Sequence, residues 1–222
     1  TCPECNTDLV KLKADEAVWR CPNVKCPARI QNHIQHFASK AALDIEGMGE
    51  KNVAALLDAG LIEDTADLYT LQESDLLKLD RFAEISANKL IAAISEKRSP
   101  SLPRFLFALG IRHIGQQSAV DLSRRFKSFE AISSATYEEL RAVDGIGEVV
   151  AESLIAWFED EENKTLIHKF KKNGVWPKEE HTESGPLAGK NFVITGSLES
   201  MGREAAAEKI RQKGGTFQSS VG

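Results

Sequence analysis

The chain has 222 residues, of which 42% are hydrophobic, and its formal net charge at pH 7 is −5. No run of about eighteen apolar residues occurs, so the sequence offers no transmembrane helix. The acidic balance also argues against binding of nucleic acid through bulk charge, since residues 31–99 carry seven basic and twelve acidic side chains. The chain starts at Thr1 without a methionine and stops at Gly222 just after a predicted strand, so we expect a piece of a longer protein.

All cysteines of the chain lie near its start and form two close pairs. They follow the pattern C-x2-C, fifteen residues, C-x4-C and are Cys2, Cys5, Cys21 and Cys26. This spacing is typical of a tetrahedral zinc site made of four thiolates. A segment of about thirty residues is too short to fold on a core of its own, and a metal ion supplies the missing free energy. We therefore predict a structural zinc ion.

Other interpretations of the cysteines are open. Two disulfides, as in a secreted protein, fit the same pairs. A catalytic zinc is disfavoured because four thiolates leave no open position for water. His33 and His36 lie one turn apart on a predicted helix and compete as ligands, but we interpret them as surface or core residues.

Four short segments repeat one pattern at nearly constant spacing. Each has an apolar middle residue, and the third residues are separated by 34, 32 and 32 positions. A period in the thirties indicates repeated supersecondary units that stack on one another. The segments are Gly47-Met48-Gly49, Arg81-Phe82-Ala83, His113-Ile114-Gly115 and Gly145-Ile146-Gly147.

Apolar residues also recur four and seven positions after the third residue of each segment, which is the spacing of one helix face. They are Val53, Ala87, Ala119 and Ala151 at the first of these positions, and Leu56, Leu90, Leu122 and Leu154 at the second. Each unit is therefore predicted to be a helix, a tight turn and a second helix. The apolar middle residue is expected to hold the turn against the core.

The turn of such a unit is a candidate anion site. Glycine adopts a positive φ with little strain and lets another backbone come close. The N–H groups at the start of the second helix then point outward, where they can hold a DNA phosphate without reading any base. For one copy, a simple turn between packed helices explains the glycines equally well. Four copies in register favour phosphate binding.

The four units are not equivalent. The second has no glycine and is predicted to be mainly architectural, whereas the other three are predicted to contact phosphates. Basic side chains near the turns (Lys51, Lys89, Arg112, Arg124 and Arg125) can add contacts or form solvated helix faces. Lys169, Lys171 and Lys172 are interpreted as a solvated helix end and the acidic run 159–162 as exposed. The candidate DNA-binding residues are Gly47, Gly49, Lys51, Arg112, His113, Gly115, Gly145 and Gly147.

The end of the chain has a different character. Residues 177–186 are polar and predict a linker. Beyond it we predict a strand from Lys190 to Thr195, a helix from Arg203 to Lys213 and a strand from Thr216 to Gln218. A dinucleotide site at Thr195-Gly196 does not fit, because the Gly-x-Gly-x-x-Gly spacing is absent.

The repeated units resemble helix–hairpin–helix motifs, and the order of modules resembles the C-terminal portion of bacterial NAD-dependent DNA ligases. The stretches that carry this resemblance include Cys21-Pro22-Asn23, Cys26-Pro27-Ala28, and residues 43–49, 107–115 and 189–196. The resemblance implies a mainly α fold in four parts. They are a small four-cysteine zinc finger at 1–30, a helix–hairpin–helix DNA-binding domain at 31–176, a linker at 177–186 and an incomplete α/β BRCT domain at 187–222.

The same resemblance implies a function. Such ligases seal single-strand nicks in duplex DNA during replication and repair, using NAD and magnesium in upstream nucleotidyltransferase and OB-fold domains of the same chain. Their cytoplasmic, nucleoid-associated location is implied too. Their adenylated lysine lies in a Lys-x-Asp-Gly motif, whereas the Asp144-Gly145 pair here follows Ala142-Val143. We therefore predict no catalytic residue and no NAD site in this chain, which would hold nicked DNA from the minor-groove side.

Two further functions are compatible with the residues. One is a non-catalytic DNA-binding module of a repair nuclease or a junction-binding protein, since tandem hairpins occur there as well. The other is a protein-interaction scaffold, for which the acidic middle of the chain is the best argument. The zinc finger directly before the hairpins favours the ligase.

Overall fold

The computed structural model describes residues 1–11, 17–178, 186–187, 190–194, 198 and 202–218. Residues 179–185 of the predicted linker and the Thr195-Gly196 pair lie outside this part. The chain divides into two compact units, Thr1–Glu179 and Glu180–Gly222. Among the described residues, no helix has the length and apolar character needed to cross a bilayer.

Helices dominate the first unit, as predicted. They are α1 (Pro27–Ala38), α2 (Glu50–Asp58), a 3-10 helix (Asp67–Thr70), α3 (Glu73–Leu76), α4 (Glu84–Glu96), α5 (Leu102–Ala108), α6 (Gln116–Phe126), α7 (Phe129–Ser133), α8 (Tyr137–Arg141), α9 (Glu148–Glu159) and α10 (Glu161–Lys172).

Four helical hairpins make up most of this unit. The first hairpin pairs α1 with α2 around turn 47–49, and the second pairs α3 with α4 around turn 81–83. The third pairs α5 with α6 around turn 113–115, and the fourth pairs α8 with α9 around turn 145–147. The predicted helix–turn–helix repeat is confirmed in each of the four.

Burial of the apolar face explains why each turn sits where it does. Met48, Phe82, Ile114 and Ile146 are between 2% and 9% exposed, so every middle residue is anchored in the core. The residues four and seven positions beyond each turn are at most 2% exposed. The second helix of each hairpin therefore lies on the core with one continuous apolar face, as its spacing predicted.

An aromatic centre joins the hairpins. The ring of Phe170 on α10 lies 5.5 Å from the ring of Phe37, 6.2 Å from that of Tyr69 and 5.4 Å from that of Phe105. These partners belong to α1, to the 3-10 helix and to α5. Because Phe37, Phe105 and Phe170 are fully buried, α10 links the first half of the unit to the second.

Polar contacts fix α10 as well. Lys169 Nζ lies 2.7 Å from Asp64 Oδ2 and 2.6 Å from Asp67 Oδ1. Arg98 donates to the carbonyl oxygens of Asn173 and Tyr69. The interpretation of Lys169 as part of a solvated helix end is therefore wrong, since the tertiary fold brings two distant carboxylates to it.

The fourth cysteine connects the finger to the hairpins. Cys26 is the N-cap residue of α1, and Ile34 and Phe37 further along this helix are completely buried in the core. Helix α1 thus crosses the predicted boundary at residue 30 without a break. The domain boundaries at 30, 176 and 186 stay predictions.

The second unit contains a strand–helix–strand arrangement. Strand β1 (Asn191–Val193) pairs in parallel with β2 (Thr216–Gln218), and α11 (Arg203–Gln212) lies between them in the chain. A Cβ at Gly215 would lie 2.8 Å from Ile210 Cγ2 and 2.9 Å from Phe192 Cε2, so this position requires glycine. The predicted order of elements is confirmed.

We predict that Phe170→Ala lowers the free energy of unfolding by about 3–5 kcal/mol, because it empties the aromatic centre. Urea denaturation followed by circular dichroism measures this change. Lys172→Ala, two residues away on the exposed side of α10, is the control and should change stability by less than about 0.5 kcal/mol. Equal effects of the two variants would contradict the central role of Phe170.

Candidate nucleic-acid interface and metal centre

The four cysteine thiols converge on one point. Their Sγ atoms all lie within 4.8 Å of one another, with Cys2 3.8 Å from Cys26 and Cys5 3.4 Å from Cys21. Sulfur ligands about 2.3 Å from a tetrahedral zinc ion are about 3.8 Å apart, so the arrangement fits zinc. All four are free cysteines, in contrast to the disulfide alternative.

Two tight turns bring the thiols together. In the first, the Cys2 N–H donates to Thr7 O over 2.8 Å, and Asn6 takes a positive φ of 57°. In the second, the Cys26 N–H donates to Asn23 O over 3.1 Å. Such turns leave sulfur atoms on one side, and with four of them the coordination is closed and structural.

Hydrogen bonding distinguishes the thiols before any metal binds. The Thr7 hydroxyl lies 3.3 Å from Cys5 Sγ, and this hydrogen bond lowers the pKa of Cys5 to about 6. Burial raises the pKa of the neighbouring Cys21 to about 12. A bound divalent cation would hold all four groups in the thiolate form.

We predict that Cys21→Ser releases zinc and loosens residues 1–26, because the site loses one of four thiolates. Elemental analysis of the purified chain measures the zinc, and hydrogen exchange measures the loosening. Thr7→Val keeps all four thiols and should retain the metal. Full zinc content in Cys21→Ser would contradict the assignment.

The two histidines of α1 have a structural role instead. His33 Nε2 lies 3.0 Å from Leu109 O, and His36 Nε2 lies 2.8 Å from Phe107 O. Both carbonyl oxygens belong to the end of α5, just before the third turn. Among the described residues, only the four cysteines group as metal ligands. The interpretation of His33 and His36 as non-ligands is supported, and they tie the third hairpin to the helix that leaves the finger.

Burial lowers the pKa of His33 below its ordinary value of 6.5. The unfolded chain therefore takes up a proton first as the pH falls, and the stability contributed by neutral His33 is lost below about pH 6.5. We predict that the free energy of unfolding decreases between neutral and mildly acidic pH. Urea titrations across this range should show a shallower decrease in His33→Gln, and an identical decrease would contradict this assignment.

Turning to the repeated turns, three of the four share one backbone shape. Gly47, His113 and Gly145 have φ values of 88°, 65° and 79°, in the left-handed region. Within residues 77–83 no residue has a positive φ, so the second turn has a different shape. The expectation that the glycine-free second unit departs from the others is confirmed.

Nothing in the described structure requires glycine as the third residue of these three turns. Gly49, Gly115 and Gly147 have ordinary φ values of −70°, −85° and −78°, and each is the N-cap of its helix. A Cβ added at any of them would meet nothing within 4 Å. Neither strain nor crowding requires glycine here, so the absent side chains leave the backbone open to an outside partner.

The backbone donors at these positions are also unused. Among the described residues, no protein group accepts a hydrogen bond from the N–H of Gly49, Gly115 or Gly147. In the second turn, by contrast, the Ala83 N–H donates to Ser86 Oγ over 3.0 Å. Three turns thus offer outward-facing donors at a helix start, where an anion is favoured, and the second offers fewer.

Side-chain contacts join the first three turns. Arg81 Nε of the second turn donates to Asn52 Oδ1 over 3.5 Å, in the first turn of α2. Gln116 Nε2 at the start of α6 donates to Ala41 O over 3.1 Å, on the segment that leads to the first turn. The second, first and third turns are therefore neighbours in that order.

The fourth turn lies next to the third hairpin. A Cβ at Gly145 would be 3.7 Å from Asp121 Oδ2 of α6, and a cavity of about 500 Å³ lies between them. Arg124 and Arg125 line this cavity. These proximities therefore connect the four turns in the order second, first, third, fourth.

Charge separates the turns further. Carboxylates precede the first, second and fourth turns directly (Glu46, Asp80 and Asp144), whereas Arg112 precedes the third. Lys51 is exposed in the first turn of α2, and Arg112 and His113 are exposed beside Gly115. The third turn is therefore the most favourable of the four for a phosphate.

Comparison with known proteins agrees with this arrangement. Residues 1–28 match the NAD-dependent DNA ligase C4 zinc finger domain, residues 39–96 the SAM-like helix-hairpin-helix tandem, residues 104–167 the helix-hairpin-helix motif and residues 182–222 the BRCT domain. The chain matches the C-terminal part of an NAD-dependent DNA ligase.

The similarity to curated DNA ligases extends over the whole chain. This chain is 44% identical over 222 residues to the DNA ligase of Syntrophus aciditrophicus, and the alignment covers all of this chain and 33% of that protein. It is 43% identical over 225 residues to that of Anoxybacillus flavithermus, with 99% and 33% covered. The chain thus spans about a third of the length of these relatives. The comparisons do not favour the nuclease, junction-binding or scaffold alternatives.

Sequence reasoning missed the polar side chains that place the turns. Asn52, Ser86 and Gln116 each make their bonds from the first turn of a helix, where hydrophobic periodicity carries no signal. Ser86, three residues after Ala83, has the spacing of a capping residue and was recognisable on that ground.

Proposed function

We propose that this chain is the DNA-gripping part of an NAD-dependent DNA ligase, and that its turns hold phosphates of nicked duplex DNA. The observation that carries the proposal is the set of three open glycines with unused N–H groups in turns of one backbone shape. The similarity to ligases supports it from a separate direction. The predicted contact residues Gly47, Gly49, Lys51, Arg112, His113, Gly115, Gly145 and Gly147 all belong to these turns or flank them.

The mode of binding follows from the donors. Backbone N–H groups and helix starts bind the phosphate without contacting base edges, so the grip is independent of sequence. This suits a protein with a net charge of −5, because the favourable field is confined to the turns. A structural zinc ion would brace the finger and, through α1, the position of the hairpins.

The chemistry of nick sealing belongs elsewhere in the proposed parent enzyme. We propose that NAD, magnesium and the adenylated lysine are used by upstream nucleotidyltransferase and OB-fold domains. The hairpins then contribute affinity and the positioning of the nick. We propose a cytoplasmic, nucleoid-associated location on the same grounds.

We predict that Gly115→Ala combined with Gly147→Ala weakens DNA binding about tenfold or more, because two methyl groups block phosphate approach. Stability should stay within about 1 kcal/mol, since both φ values suit alanine. Fluorescence anisotropy with labelled nicked and intact duplexes measures the affinity. Ala83→Gly, at the same position of the second turn, is the control and should bind like the unaltered chain.

The ligase assignment needs a separate readout in the full-length parent enzyme. The same double substitution should reduce nick sealing while leaving self-adenylation by NAD unchanged, because adenylation needs no DNA. If the double variant of the 222-residue chain bound nicked duplex with unaltered affinity, this would contradict the proposal that the turns hold phosphates. A loss of self-adenylation in the parent would show that these turns act on the upstream domains instead.

A further inference from the structure

Outside the zinc finger, the first unit exposes large apolar side chains in two hairpins only, as far as its described residues go. They are Leu77 and Ile85 in the second hairpin and Val149 in the fourth, with exposures of 47%, 73% and 42%. Isolated exposed apolar residues are common, but these coincide in register. Ile85 and Val149 both stand two positions after the third residue of their turn, in the first turn of α4 and of α9.

The equivalent position in the other two hairpins is polar. It is Lys51 after the first turn and Gln117 after the third, and both are exposed. In the order of contacts between the turns, the first and third come in the middle, and the second and fourth come first and last. The polar pair therefore belongs to the two turns that are directly joined to each other, and the apolar pair belongs to the other two.

The second and fourth turns are also less favourable for an anion than the third. Both follow a carboxylate, Asp80 or Asp144, whereas Arg112 precedes the third. In the second turn the Ala83 N–H is already bonded to Ser86. A phosphate has less to gain there than at the third turn. An exposed isoleucine or valine gains by burial against an apolar partner, and along a DNA strand the deoxyribose ring offers apolar surface between the phosphates.

Resting on the proposed DNA grip, we propose that Ile85 and Val149 pack against deoxyribose surfaces of the bound duplex, next to the phosphates held at the turns. The grip then combines polar side chains beside the first and third turns with apolar side chains beside the second and fourth. The apolar contacts add affinity that salt does not screen, because no counterion is released when they form.

The test compares single variants of the 222-residue chain for binding to a labelled nicked duplex over a series of potassium chloride concentrations. Ile85→Ser and Val149→Ser should each weaken binding about fivefold at every salt concentration and leave the salt slope unchanged. Lys51→Gln should instead reduce the slope by about one. Thermal unfolding of both serine variants should match that of the unaltered chain, because both positions are exposed.

The matched control is Val24→Ser, since Val24 is 47% exposed but belongs to the zinc finger. It should bind DNA like the unaltered chain. The inference is overturned if Ile85→Ser and Val149→Ser bind like Val24→Ser, or if their salt slopes fall as in Lys51→Gln. If only these serine variants bind normally while the glycine variants are weakened, the proposed DNA grip stands and this inference alone fails. An unaltered chain without DNA binding at low salt overturns both.

Discussion

The burial of one apolar side chain per turn determines the direction in which the backbone N–H groups of the turns point. Met48, Ile114 and Ile146 are held in the core, so the residues on either side of them stay at the surface. A helix start follows at once, and its first N–H groups have no partner within the helix. The same packing that stabilises the fold therefore produces outward donors. No charged side chain is needed to create them.

Because the donors are backbone N–H groups, a chain with a net negative charge can still be suited to bind the phosphates of DNA. The hairpin region carries more carboxylates than basic groups, and carboxylates even precede three of the four turns. A field from aligned peptide dipoles is short-ranged, so it favours a phosphate seated in the turn and has little effect on a distant one. Contact geometry, more than long-range attraction, then governs binding. The third turn, with Arg112 beside it, combines both effects.

The cysteine cluster and two histidines fix the position of the first and third hairpins through helix α1. Cys26 is the N-cap of α1, so the geometry of the thiol cluster is transmitted to a rigid helix. His33 and His36 of that helix hold the end of α5 through its carbonyl oxygens. The finger, the first hairpin and the third hairpin are thus connected by one helix. At His33 burial disfavours the charged form and lowers the pKa below its ordinary value, so the neutral imidazole is favoured there.

The sequence by itself determined the repeat, the buried face of each second helix and the cysteine cluster. These features depend on spacing along the chain. A period of 3.6 residues and two close pairs of cysteines are both visible without coordinates. Only the tertiary structure decided the order of the turns, through the Arg81–Asn52 and Gln116–Ala41 hydrogen bonds and the cavity that Gly145 and Asp121 line together. The tertiary structure also showed that Lys169, which the sequence placed on a solvated helix end, forms ion pairs with Asp64 and Asp67. Such contacts depend on how helices cross, and helix crossing is set by the packing of the whole core, which no local pattern encodes.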